Sequence, residues 1–215
     1  LYDEPTTGLD PLMSTNIEDL ESQIDTALHE LTHVLAFSPS LYGKYIDSNL
    51  ALLGASNVFT MNNGVYSIIT PKVVQAAKSH FGCSSIIGVP LEDEGDSGSA
   101  GAHWERMILN NEAMTASDIP NAAYSIFTMS LLEDSGWYKA DMTLAEPFFW
   151  GKNSGCDFFN LGCKSGDTTY FCQKVSAKAC SYDFEGSGYC AIDSFSSQCM
   201  YTRLYSNGKC SDSTN

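Results

Sequence analysis

The apolar residues Ile17, Leu20, Ile24, Ala27, Leu28, Leu31, Val34 and Leu35 recur every three or four positions. At about 100° per residue they share one arc of a helical wheel. The pattern predicts an amphipathic helix with that arc turned to the core and His29 and His33 roughly opposite it. Thr15-Asn16-Ile17-Glu18 has the form of a capping box at its start, and Phe37-Ser38-Pro39 ends it. Residues 1–14 are polar and turn-rich. Over residues 40–70 the pattern is irregular, except where Val58-Phe59-Thr60-Met61 and Val65-Tyr66-Ser67-Ile68-Ile69 flank Asn62-Asn63-Gly64, which predicts a hairpin. Thr70-Pro71 opens a short helix that runs to Phe81 and closes at Gly82. A third helix is predicted from Tyr124 to Trp137, with Gly136 as its stop.

Charge and cysteine usage narrow the class. The chain has 215 residues, 17% of them charged, and a net charge of −15. Such a field repels phosphate backbones and anionic lipid surfaces, which excludes nucleic acid as a partner. No apolar run approaches the ~18 residues of a membrane span. The chain begins with Leu1, and neither a signal peptide nor a hydrophobic anchor tail is legible in it, so it reads as a fragment or a processed product. Of eight cysteines only Cys83 precedes Cys156; the others follow at steps of 7, 9, 8, 10, 9 and 11. With no Cys-x-x-Cys, this spacing reads as a disulfide-stapled segment rather than a zinc ribbon. An oxidising compartment follows, extracellular or at the cell surface. Eight cysteines allow 105 pairings. Residues 92–101 form an acidic, Gly/Ser-rich loop. Glu92, Asp93, Glu94 and Asp96 offer oxygens to a calcium ion, but without an EF-hand pattern the run reads as a solvated loop.

The sharpest chemical signal is His29-Glu30-Leu31-Thr32-His33. Histidines four apart on a helix project from one face, so both imidazoles reach one Zn²⁺. Glu30 then flanks the open coordination position, where it can take a proton from water on the metal and pass it to a leaving amine. The competing reading is a pair of solvated surface histidines. A third ligand at the short metzincin spacing is missing, because position 36 is Ala and position 39 is Pro. Where metzincins turn on a glycine, Ala36 would cost about 1–2 kcal/mol in a left-handed conformation. Only His80 and His103 remain, and His80, at a helix end, reads as offsetting the dipole or packing locally.

His103 lies in Gly101-Ala102-His103-Trp104-Glu105-Arg106, and Asn111-Glu112-Ala113-Met114-Thr115-Ala116 follows. This order resembles leishmanolysin, the surface zinc metalloprotease family whose metzincin motif is split by a long insertion. The likeness continues through Glu133-Asp134-Ser135-Gly136-Trp137-Tyr138 and Trp150-Gly151-Lys152-Asn153-Ser154-Gly155-Cys156. It covers roughly residues 14–163 well and runs on loosely into the Cys-rich tail. The resemblance implies an α+β, metzincin-like zincin, mostly helices and loops around the active-site helix, with a disulfide-rich C-terminal region. It implies zinc held by His29, His33 and His103, a Met-turn at Met114, Glu30 as general base and then acid, and protein or peptide substrates. The family places a twisted sheet ahead of the zinc helix; with 28 residues before His29, most of that subdomain and a zinc-masking pro-segment are expected to be absent from this chain.

The chain accordingly divides into residues 1–14, unassigned; 15–150, the catalytic region; and 151–215, the Cys-rich region. Within the first, Leu1-Tyr2-Asp3-Glu4-Pro5-Thr6-Thr7-Gly8-Leu9-Asp10-Pro11 looks like the Walker B end and D-loop of an ABC-transporter ATPase. No Gly-x-x-x-x-Gly-Lys-Ser/Thr phosphate cradle accompanies it, so it is given no function. The rival to the peptidase is a non-catalytic extracellular binding or adhesion module with a structural or vestigial zinc site. Glu30 separates the two, because a structural site has no need of that carboxylate. Oligomeric state is not legible in the sequence.

Overall fold

The computed structural model describes residues 11–95, 98–117, 122–184, 186–205 and 208–210. Residues 1–10 of the ATPase-like stretch, and Asp96, lie outside them. Helix α1 spans Pro11–Leu35 and is followed by the short α2, Pro39–Tyr42. The start differs from the capping-box expectation: Thr15 lies within the helix, whose described part already begins at Pro11. Ala36 is not among the positive-φ residues. The backbone N–H groups of Ala36 and Phe37 both bond to Thr32 O, at 3.1 and 3.0 Å, and Pro39 starts the next helix. The chain leaves the helix here without a left-handed residue.

The hairpin forms as the spacing predicts, with β1 at Phe59–Asn62 and β2 at Val65–Ile68 in antiparallel register. Asn63 and Gly64 take φ of 53° and 89°, the two left-handed positions of a hairpin turn. Strand β3, Val89–Pro90, adds to β2. Helix α3, Pro71–Phe81, ends on Gly82 in the left-handed conformation. Its N-terminal amides are satisfied from a distance: Asp134 Oδ2 accepts from the backbone N–H of Lys72 (2.8 Å) and Val73 (3.1 Å). A carboxylate there also complements the helix dipole. Helix α4 is the single turn Arg106–Leu109.

Asp134 ends α5, which runs Ile126–Asp134 and is shorter than the predicted Tyr124–Trp137. Ser125 caps it, its hydroxyl accepting from Phe127 N at 3.1 Å. Gly136, at φ +76°, stops it. Ile46 N–H bonds to Ser135 O at 3.0 Å, so close that a Cβ at Gly136 would overlap the Ile46 carbonyl. Phe37, Phe81, Trp104, Met114 and Phe127 fill the core between these elements.

The C-terminal region adds helix α6 (Gly155–Leu161) and a second antiparallel sheet, β4 (Lys178–Cys180), β5 (Ser187–Ile192) and β6 (Met200–Leu204). All eight cysteines are paired, as Cys83–Cys156, Cys163–Cys199, Cys172–Cys190 and Cys180–Cys210. The first ties the end of α3 to the start of α6; the others lie within the last third of the chain. Trp150 anchors this region, with the rings of Tyr170, Phe171 and Tyr182 packed around it. His80 packs locally, donating from Nε2 to Trp150 O at 2.8 Å among Phe127 and Phe148. The molecule is a mixed helix-and-sheet protein stapled by four disulfides. No described helix is long and apolar enough to cross a membrane.

Candidate metal centre

One expectation about α1 is reversed. Leu20, Ile24, Leu28, Leu31 and Val34 are between 42% and 75% exposed, so the apolar arc faces outward among the described residues. The side turned to the body carries Thr32 and Ala36, both buried, with His29 and His33 part-buried beside them. The polar contacts of the histidines decide the orientation, and hydrophobicity alone would have chosen the other face.

His29, His33 and His103 meet although 70 residues separate the last two. Their Nε2 atoms form a triangle with sides of 3.1, 3.1 and 3.2 Å. Tetrahedral zinc bonded at 2.0–2.1 Å places its ligand nitrogens roughly 3.3 Å apart, so the triangle has the size that such an ion demands. The other nitrogen of each ring is committed. His29 Nδ1 donates to Ala113 O (2.7 Å), His33 Nδ1 to Phe37 O (2.8 Å) and His103 Nδ1 to Ser99 O (3.0 Å). With the proton fixed on Nδ1, every Nε2 presents a lone pair, and the three lone pairs converge. Burial pushes the pKa of His103 down to about 4 and lowers that of His33, which keeps both rings neutral and able to ligate. Lone pairs crowded in this way repel one another unless a cation lies between them. A pair of solvated surface histidines would need no such orientation.

His29, Glu30 and His103 line a cleft of 280 Å³, together with Asp25, Thr26, Thr115 and Tyr124. Glu30 is exposed and projects into it. Burial raises the pKa of the Tyr124 hydroxyl to about 12. Met114 is fully buried in the core. Its backbone does the positioning: Met114 O accepts from Trp104 N at 2.9 Å, beside His103, while the neighbouring Ala113 O orients His29.

Sequence reasoning gave Glu112 no role. The structure buries it completely and makes it the anchor of this turn. Oε2 accepts from Met114 N (2.7 Å); Oε1 accepts from Thr128 Oγ1 (2.6 Å), Ser125 Oγ (2.9 Å) and Ser125 N (3.3 Å). Thr128 Oγ1 in turn accepts from Trp104 Nε1 at 3.0 Å. Burial raises the pKa of Glu112 to about 7 against the opposing pull of these donors. The signal available in the sequence was a lone carboxylate between apolar Leu109 and Met114.

The acidic loop is also corrected. Glu92 is 1% exposed rather than solvated, and burial raises its pKa to about 7. Glu92 N–H donates to His103 O (2.9 Å) and Glu105 N–H to Pro90 O (3.1 Å) around the bridge between Leu91 and Trp104. This pairing presents the third histidine, and it draws Glu92 inside.

The leishmanolysin family profile matches residues 9–211. The chain belongs to the leishmanolysin family. Among relatives of this leishmanolysin-type chain, a leishmanolysin-like peptidase of Drosophila pseudoobscura pseudoobscura is 36% identical over 185 residues, 71% of this chain and 27% of that protein. A ciliated left-right organizer metallopeptidase of Xenopus laevis is 35% identical over 198 residues, 87% of this chain and 27% of that protein. A leishmanolysin homolog of Crithidia fasciculata is 32% identical over 183 residues, 79% of this chain and 25% of that protein. The chain thus spans about a quarter of the length of the curated relatives it matches. The match runs through most of the Cys-rich region, where the resemblance in the sequence was only loose.

Proposed function

We propose that this chain carries the zinc centre and general base of an endopeptidase acting on extended peptide segments of proteins in an oxidising, extracellular or cell-surface compartment. The observation that carries the reading is the triangle of Nε2 atoms, 3.1–3.2 Å on a side, with every Nδ1 bonded to a backbone carbonyl. His29, His33 and His103 would hold zinc. When bound there, zinc acidifies water and polarises the scissile carbonyl.

The remaining work falls to the protein. Glu30, on α1 one residue after His29, takes the proton of the attacking water and returns it to the leaving amine. It is exposed in the cleft, within reach of bound substrate. Ala113 O, Phe37 O and Ser99 O hold the three imidazoles in one tautomer. Glu112 fixes the Ala113–Met114 turn and therefore His29. The four disulfides fit the proposed compartment.

The test is hydrolysis of an unfolded protein substrate by the zinc-loaded, oxidised chain. Cleavage should disappear with 1,10-phenanthroline and return on adding zinc. Cleavage indifferent to the chelator, or none from a folded, zinc-loaded chain, would reject the reading.

A further inference from the structure

Glu92 and Glu105 are 1% and 4% exposed, and Asp93 stands beside them at the surface. One carboxylate oxygen from each lies within 4.8 Å of the others. Three acids so placed repel one another, and burial of two removes the water that would screen them. No basic side chain among the described residues pairs with this group. Among the described residues the Lys and Arg ion pairs are Lys72–Glu133, Arg106–Asp193 and Arg203–Asp193, none of which reaches this group. Hydrogen bonding does not close the account either. Glu92 Oε1 accepts from Glu94 N at 3.0 Å and Glu105 Oε1 from Met107 N at 3.1 Å; the Arg106 backbone N–H also faces the Glu92 carboxylate, but the buried Glu92 Oε2 has no partner of hydrogen-bond geometry among the described residues. The two oxygens of a carboxylate are only about 2 Å apart, so this free acceptor lies within the cluster. A buried acceptor left unpaired is unfavourable by about 1–3 kcal/mol, which a bound cation would relieve.

We propose that Glu92, Asp93 and Glu105 form a second cation site, selective for a hard divalent ion such as calcium. The donors are all carboxylate oxygens, the set that calcium prefers and zinc does not require. Exposed Asp93 leaves a route to solvent, and water completes the coordination shell. The site braces the strand-like pairing of residues 90–92 with 103–105. Glu92 N–H holds His103 O, and Gly101 N–H holds Glu92 O at 2.8 Å. Calcium here would hold the histidine-bearing segment in place without touching an imidazole. The proposal does not depend on the zinc reading, because imidazole is a poor ligand for calcium.

The experiment is a calcium titration of the zinc-loaded, disulfide-bonded chain by calorimetry, with thermal unfolding measured alongside. One calcium per chain and a rise in Tm are expected. Asp93→Asn, at an exposed position, should weaken calcium binding about tenfold or more and leave the calcium-free Tm nearly unchanged. Glu92→Gln should abolish binding, with zinc content retained. A folded wild-type chain that takes up no calcium overturns the proposal. So does calcium binding that Asp93→Asn leaves unchanged, which would place the ion elsewhere on an acidic surface.

Discussion

Glu30→Gln is expected to keep zinc and lose proteolysis. The amide is nearly isosteric with the carboxylate, and Glu30 is exposed on α1, so the fold should not notice the change. The triangle of His29, His33 and His103 draws its order from Ala113, Phe37 and Ser99, not from Glu30. Zinc content should therefore stay at wild type. What the amide lacks is a basic oxygen. A positioned general base contributes roughly 10²–10⁴ in rate, and kcat/KM should fall by about that factor. The loss should sit in kcat with KM little changed, because the residue acts on the water and the leaving group. Undiminished proteolysis would remove Glu30 from the mechanism as its general base.

Glu112→Ala should be the most destabilising substitution near the centre. Its carboxylate receives four hydrogen bonds, from Met114 N, Ser125 N, Ser125 Oγ and Thr128 Oγ1, all in the interior. Truncation strands those donors where water does not reach them and leaves a void. The combined cost is about 3 kcal/mol or more, which for a chain of this size lowers Tm by roughly 6–12 °C. Thr128 is linked to Trp104, and Ala113 orients His29, so zinc affinity should fall together with stability. Thr128→Val removes one of the four donors and the acceptor of Trp104 Nε1, but nothing charged, and its effect should be smaller. Thermal unfolding of the two variants, with and without zinc, checks this. An Ala variant as stable as wild type would show that the network does not hold the turn.

The parts of the molecule that could be read from the chain were those whose cause is local. Asn62-Asn63-Gly64 closes a hairpin because two left-handed residues are needed there and Asn and Gly tolerate them. Gly82 and Gly136 stop their helices for the same reason. The His29-Glu30-x-x-His33 spacing places two imidazoles on one face through helical geometry alone. His103 and Met114 were legible only through the order of several segments, since no local rule joins positions 33 and 103. Three features escaped because they depend on contacts between distant residues. The apolar arc of α1 was read correctly as helical but assigned to the wrong side, because the carbonyls of Phe37 and Ala113 and the ring of His103 set the orientation. Glu92 was read as solvated because its burial comes from the pairing of Leu91 with Trp104. The role of Glu112 requires Ser125 and Thr128, which reach it only once α5 is in place.

The central claim is that three histidines from two distant segments make one zinc site. Elemental analysis of the purified, oxidised chain, run beside His103→Ala, tests it most directly. The account predicts about one zinc per wild-type chain, and zinc lost or greatly weakened in a variant that still folds. A folded wild-type chain without zinc, or a His103→Ala variant that binds zinc as tightly as wild type, would contradict it.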